Sequence, residues 1–193
     1  MKRIKKFIDS WYKTNIYDKN LENYVQNQIF CNDRSIKWGN GYSLNKITIY
    51  NSNNRINTLY QPSLICLNNS DKFTLKINGL SKINGTSGYG NNALNYPVGL
   101  ITADEAALAG SVYNVMNSKY YLYTTNSLWT LTTLTFLTTY IQSRNAFVEK
   151  IGKLNNGILN YELYVRPVVN LKSNIKFKSG SGTEKDPYIL LEN

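Results

Sequence analysis

Tyr96-Pro-Val-Gly-Leu-Ile-Thr-Ala-Asp-Glu-Ala-Ala-Leu-Ala-Gly110 is the stretch from which the fold is read. Thr102 stands three residues before Glu105. At that spacing a threonine hydroxyl accepts from the helical N–H of the third residue, while the glutamate reaches back to the cap residue's own N–H. Asp104 adds negative charge at the positive end of the helix. The helix runs on through Ala106 to Ala109, and Gly110 supplies a left-handed terminator. Asp104 and Glu105 are also a carboxylate pair of the kind that serves a metal or acid–base chemistry. The cap already employs them, and adjacent helical residues diverge in direction, so the structural role is the expected one.

Upstream of this helix the chain divides. Ile4, Phe7, Ile8 and Trp11 fall at i, i+3, i+4 and i+7 and draw one apolar stripe on a short helix; Leu21, Tyr24, Val25 and Ile29 repeat the pattern approximately. Residues 1–30 are therefore expected to be an N-terminal helical extension packed on the domain formed by residues 31–193. The basic opening Met1 to Ile8 lacks the apolar core of a signal peptide, since Asp9 and Ser10 interrupt it. From Cys31 onward short β-like runs alternate with turn dipeptides, including Asn40-Gly41, Asn78-Gly79, Asn84-Gly85 and Asn156-Gly157, each expected to be a tight reversal. Phe73, Leu75 and Ile77 alternate with Lys72, Thr74 and Lys76, the pattern of a half-buried strand. The Gly/Asn/Ser-rich stretch from Asn78 to Asn95 reads as a surface loop; its glycines do not open a helix after a strand, so they offer no phosphate cradle.

Downstream, Tyr120, Tyr121 and Tyr123 precede the run Leu128-Trp-Thr-Leu131, and Ala146-Phe-Val148 leads toward Asn156-Gly157. Tyr164-Val-Arg-Pro-Val-Val-Asn-Leu171 reads as a strand whose Pro167 cannot donate to a ladder and so belongs at an edge or a bulge. Arg166 is expected to be buried, holding backbone carbonyls or a carboxylate; a ligand-binding arginine is the alternative.

Composition bounds the function. The 193 residues hold 22 Lys and Arg against 12 Asp and Glu, for a formal charge of +10, but no His and only two Cys. Without His the usual acid–base catalyst at neutral pH and the commonest metal ligand are missing. The positive charge would suit a polyanion, yet beyond the N-terminal Lys2, Arg3, Lys5, Lys6 and Lys13 the cations are scattered rather than striped. Specific nucleic-acid binding is not expected. No apolar run approaches the roughly 20 residues of a bilayer span.

Six motifs taken in order carry a resemblance: Phe30-Cys-Asn-Asp-Arg-Ser35, Pro62-Ser-Leu-Ile-Cys66, the stretch from Tyr96 to Ala106, Trp129-Thr-Leu131, Val165-Arg-Pro-Val-Val-Asn-Leu171 and Gly182-Thr-Glu-Lys-Asp-Pro-Tyr-Ile189. Spread over most of the chain from Phe30 onward, they resemble bacterial surface and prophage-associated proteins of unassigned function with a C-type-lectin-like fold, to which sulfatase-activating enzymes are related. The resemblance implies an α+β domain of short, mostly antiparallel strands around a capped central helix. It implies one module of a larger exported protein at the cell surface, or a virion component. Calcium-dependent lectins of this fold carry Glu-Pro-Asn or Gln-Pro-Asp with Trp-Asn-Asp as oxygen ligands. Here Gln61-Pro62 is followed by Ser63 and Trp-Asn-Asp is absent, so no metal or other cofactor is expected. Cys31 and Cys66 occupy family positions that look structural. In an exported protein they would form a disulfide, and in a reducing cytosol they would stay free thiols.

The expected function is therefore non-catalytic adhesion, with a glycan or protein ligand met by loop residues. Tyr121, Tyr123, Trp129, Tyr140 and Arg144 are the candidates, because Tyr and Trp give large contact area at modest entropic cost. For Trp129 a place in the core is the competing expectation. The alternative is a structural subunit of a cell-surface or phage assembly, with an enzyme the least expected class. Cys31, Cys66, Thr102, Glu105 and Arg166 are the expected structural residues.

Overall fold

The computed structural model describes residues 2–42, 46–75, 90–138, 142–183 and 185–191. In chain order the elements are α1 (Lys2–Asn15), β1 (Val25–Gln26), β2 (Phe30–Cys31), β3 (Ile36–Trp38), β4 (Thr48–Tyr50), α2 (Asn51–Asn54), β5 (Lys72–Phe73), α3 (Ala103–Leu108), β6 (Leu128–Leu137), β7 (Gln142–Val148), β8 (Leu154–Ile158), β9 (Asn170–Leu171), β10 (Phe177–Ser179) and β11 (Ile189–Leu190). The architecture is α+β. An antiparallel sheet of order β3-β4-β6-β7-β8 is the largest among the described residues, and β1-β9, β2-β5 and β10-β11 form separate two-stranded antiparallel pairs.

Both faces of the sheet are covered, as the strand sequences require. Ala146, Phe147 and Val148 follow one another in β7 and all are buried, so alternate side chains enter two cores. Ala146 and Val148 join Leu134 and Leu154 against Ala103 and Ala106 of α3. Phe147 joins Trp129 on the other face, against Ile8 and Tyr12 of α1. The apolar stripe of α1 thus packs through Ile4, Ile8, Trp11 and Tyr12, while Phe7, expected on that stripe, is 53% exposed. Tyr12 stacks on Tyr96 at 5.0 Å between ring centroids and ties α1 to the segment entering α3.

β6 explains its own threonines. Its pairing with β7 shifts register between Trp129 and Thr133 and again before Thr135, which leaves backbone groups without ladder partners. Thr130 Oγ1 donates to Ala146 O at 2.8 Å, Thr132 Oγ1 accepts from Ala103 N at 2.8 Å, and Thr133 N donates to Asn32 Oδ1 at 3.2 Å. Ser52 Oγ donates to Thr133 O at 2.6 Å. Side-chain hydroxyls and amides replace the missing ladder and fasten α2, β2 and α3 to the central strand.

The capping box forms as its spacing predicts. Thr102 Oγ1 accepts from Glu105 N at 3.0 Å and Thr102 N donates to Glu105 Oε2 at 2.7 Å. Replacing Thr102 by Ala should lower stability by about 1 kcal/mol, the usual worth of an N-cap. Urea titration checks it; a loss below about 0.3 kcal/mol would mean that Thr132 and packing alone hold this helix end.

Three other expectations are corrected. The second N-terminal helix is absent: Glu22–Tyr24 is a single 3-10 turn, and Val25 pairs with Leu171 in β1-β9. β-branched Val25 is buried in the strand, a preference that an approximate helical spacing did not overcome. Asn156-Gly157 is no reversal, for it lies inside β8 opposite Ala146 and Asn145. An added Cβ at Gly157 would stand 2.8 Å from the Tyr161 ring, which packs over this strand position. The chain reverses at Glu149 to Lys153 instead, where Gly152 adopts φ +80°. Between Tyr164 and Leu171 the only ladder is Asn170–Leu171, with single bridges at Tyr164 and Val168 on either side of Pro167. The strand proposed for residues 72–77 is described as far as Leu75, which bridges Leu94; Ile77, Asn78-Gly79 and Asn84-Gly85 lie outside the described residues.

Candidate functional site

Residues 60–68, between α2 and β5, form an irregular but anchored segment. It carries no secondary structure, yet it is fastened at three points and its C-terminal flank at a fourth. α2 passes into a wide turn over Arg55–Leu59 of the i→i+5 type, a geometry frequent at functional sites. That turn ends at Tyr60, whose φ of 54° reverses the chain, with Gln61 N donating to Arg55 O at 2.9 Å. Ser63 N donates to Asp104 Oδ1 at 2.8 Å. Cys66 is joined to Cys31 by a disulfide with Cα atoms 6.0 Å apart. Beyond the segment, Asp71 is 3% exposed and accepts from Arg34 N and Arg34 Nε at 2.9 and 2.8 Å.

Beneath the segment lies a buried ionic cluster. Arg55 Nε and Nη2 donate to the two carboxylate oxygens of Asp104 at 2.6 and 2.8 Å, a bidentate fork, and Nη1 donates to Asp33 Oδ2 at 2.5 Å. The side chains of Arg55, Asp33 and Asp104 are 14%, 13% and 5% exposed, so the cluster works at reduced dielectric. Burial pushes the Asp33 carboxyl up, but hydrogen bonds from Ser35 and Arg55 outweigh it and hold the group below the usual carboxylate range. Burial likewise opposes the Arg55 charge, and Asp104 and Asp33 more than restore it, raising its pKa.

A cleft of about 220 Å³ opens between this cluster and the segment, with Asp33, Arg55, Asp104, Thr102 and Thr132 beside Leu64 and Ile65. All three guanidinium nitrogens of Arg55 are engaged, and carboxylates outnumber cations, so the cleft does not suit an anion. Among the described residues no group of three or more His, Cys, Asp or Glu could hold a metal ion. What the arrangement presents outward is hydrocarbon: Leu64 and Ile65 are each 66% exposed and Leu67 77%.

The aromatic candidates are not brought together. Tyr121 is 81% exposed, whereas Tyr123 is partly buried beside Tyr120, its hydroxyl donating to Lys150 O at 3.2 Å. Trp129 is 4% exposed and packs edge-on against Phe147, so it is a core residue and not a surface contact. Trp129 and Tyr123 serve the cores on opposite faces of the sheet. Arg144 is exposed and donates to Asn156 Oδ1 at 2.9 Å across β7 and β8; Tyr140 lies outside the described residues. Arg166 is exposed where burial was expected, although its Nη1 does hold a carbonyl, that of Leu122, at 3.2 Å.

Asp104, read from sequence as charge at a helix end, is instead the hub that joins Arg55 to Ser63. Arg55 and Asp33 were not singled out, since their partners lie 49 and 22 positions apart in sequence. Leu64, Ile65 and Leu67 carried a signal of their own: an apolar run around a cysteine with neither strand nor helix period. No family model, curated protein or solved structure matches the chain.

Proposed function

We propose that this chain is a C-type-lectin-like recognition module that binds a polypeptide, without catalysis, through the 60–68 segment. One observation carries the reading: three aliphatic side chains are held in water by a segment fixed through a disulfide, a hydrogen bond from Ser63 N to the buried Asp104 carboxylate, and the turn that ends at Tyr60. Exposed Leu and Ile on a mobile loop would be unremarkable. Fixing them costs conformational entropy before any partner arrives, so less remains to be lost on binding. Aliphatic contacts favour a polypeptide over a glycan, whose hydroxyls call for polar side chains and aromatic faces. The pairing of β1 with β9, continued by Lys172 N donating to Tyr24 O at 3.0 Å, joins the two ends of the domain and leaves the intervening irregular chain to carry contacts. This agrees with the lectin-like resemblance and with a role at a cell surface or on a virion, as does the disulfide.

The test is capture from a peptide display library and a glycan array, repeated with Leu64→Ser/Leu67→Ser. The expected result is selection of apolar peptides by the parent chain, at least a tenfold loss in the variant, and unchanged thermal unfolding. Glycan capture that the double substitution leaves intact, or silence on both arrays, contradicts the reading.

The structural-subunit reading is favoured by a separate observation. β3 is an edge strand with Ile36 and Trp38 exposed at 45% and 56%, a surface on which a second chain could pair. Sedimentation across a hundredfold concentration range decides it: self-association lost in Trp38→Lys supports this reading, and a persistent monomer removes it.

A further inference from the structure

The outward face of α1 plays no part in holding the 60–68 segment. The helix Lys2–Asn15 carries five cations against one carboxylate, Asp9, a net charge of +4 within 14 residues. Its apolar stripe is spent inward through Ile4, Ile8, Trp11 and Tyr12. Arg3, Lys6, Phe7, Ser10 and Lys13 recur at helical spacing on the other side, and all are exposed.

The charge is placed against the helix's own stability. Lys2, Arg3 and Lys5 crowd the first turn, where the helix end is itself positive, and that turn holds no acidic residue. α3 of the same chain follows the usual rule, with Asp104 and Glu105 in its first turn. Two of the α1 cations are relieved: Lys5 Nζ pairs with Asp9 at 2.6 Å and Lys13 Nζ with Asp18 at 2.7 Å. Arg3 and Lys6 have no hydrogen-bond or ion-pair partner among the described residues. A local rule broken without a compensating contact inside the fold is the mark of a functional surface.

Beside these two cations stands an apolar patch. Phe7 is 53% exposed and Tyr164 64%, and both line a shallow groove with Arg3, Ile4, Leu163 and Val165. A rod-like polyanion would meet the cations but leave the Phe7 ring in water. An anionic bilayer takes both, its headgroups meeting the cations and its acyl boundary the aromatic rings. Charge complementarity and the apolar patch thus select the same partner.

We propose that the outward face of α1, with Tyr164, docks on an anionic lipid surface, Phe7 entering the headgroup region while Arg3 and Lys6 meet its phosphates. α1 and α3 cover opposite faces of the sheet, so this seating turns the 60–68 segment, fastened to α3 at Asp104, toward the solution. Lipid docking is independent of polypeptide binding and survives the failure of that reading.

The whole chain is sedimented with vesicles of phosphatidylcholine alone and of phosphatidylcholine containing about 30% phosphatidylglycerol. The expected result is partition onto the anionic vesicles at least tenfold above the neutral ones, abolished at about 0.5 M salt, where screening is short-ranged. Arg3→Glu/Lys6→Glu should abolish it. Arg3→Glu alone should weaken it while raising the thermal unfolding midpoint, because an acidic residue then stands at the positive helix end. Phe7→Ser should weaken it at least threefold through the lost apolar contact. No partition onto anionic vesicles, equal partition onto both, or retention on double-stranded DNA without vesicle binding overturns the proposal, and all three are read on the parent chain. Vesicle binding that Phe7→Ser leaves unchanged overturns it as well.

Discussion

Replacing Arg55 by Ala is expected to lower the free energy of unfolding by about 3–5 kcal/mol, the usual result of removing one partner from a buried ion pair. The magnitude follows from what is left behind. Asp104, 5% exposed, would keep Ser63 N as its donor but lose both guanidinium contacts, and Asp33 would keep only Ser35. The loss should also depend on pH. A carboxyl held below its ordinary value, as Asp33 is, contributes stability that is present above the unfolded carboxylate pKa of about 4 and disappears as pH falls through the folded value. Without Arg55 that folded value rises, so the acid unfolding midpoint moves to higher pH. Urea titrations of both chains between pH 7 and pH 3 measure this: the gap should be widest near pH 7 and should narrow as the carboxylates protonate. A gap below about 1 kcal/mol at pH 7 would mean that the cluster is a solvated surface network.

The second large effect belongs to the disulfide. Cys31 and Cys66 are 35 positions apart, and the chain-entropy estimate for a loop of that size is about 3 to 4 kcal/mol. Cys31→Ser/Cys66→Ser should lose that amount, and β2-β5, whose ladder is only Phe30↔Phe73 and Cys31↔Lys72, should be the first element to open. Hydrogen exchange should show faster exchange in residues 60–73, with the β6-β7 ladder changed only by the global loss. Uniform acceleration throughout would mean that the crosslink acts on the unfolded chain and does not brace this segment in particular.

Local physics made part of this legible in sequence. The capping box needed two residues three apart, and α1 showed its face through Ile4, Ile8 and Trp11, although Phe7 of the same spacing is exposed and Tyr12 takes its place in the core. The central strand was visible as Leu128-Trp-Thr-Leu131, but its extension through six further residues was not. Thr130 and Thr132 look polar until the bulged strand that employs their hydroxyls is seen. Val25 pairs with Leu171 instead of lying on a helix because the spacing of Leu21, Tyr24, Val25 and Ile29 is only approximately helical and is equally open to a turn followed by a short strand. The candidate site was largely illegible for a different reason. Asp33, Arg55, Ser63 and Asp104 form one network across 72 positions of chain, and nothing local to any of them requires the others. Trp129 takes the core place set against its ligand role: an aromatic in a Thr-rich run fits either, and its ring packs against Phe147 in the core beneath α1.

The central claim is that residues 60–68 are held in their binding shape before a partner arrives. The affinity of one array-selected peptide should therefore be compared between the oxidised chain and Cys31→Ser/Cys66→Ser, at a temperature where circular dichroism shows both folded. The account predicts at least a tenfold weaker complex for the disulfide-free chain, with the loss in entropy, because the segment must then be ordered on binding. Equal affinity, with Leu64 and Leu67 still required, would show that the shape is imposed by the partner and would contradict it.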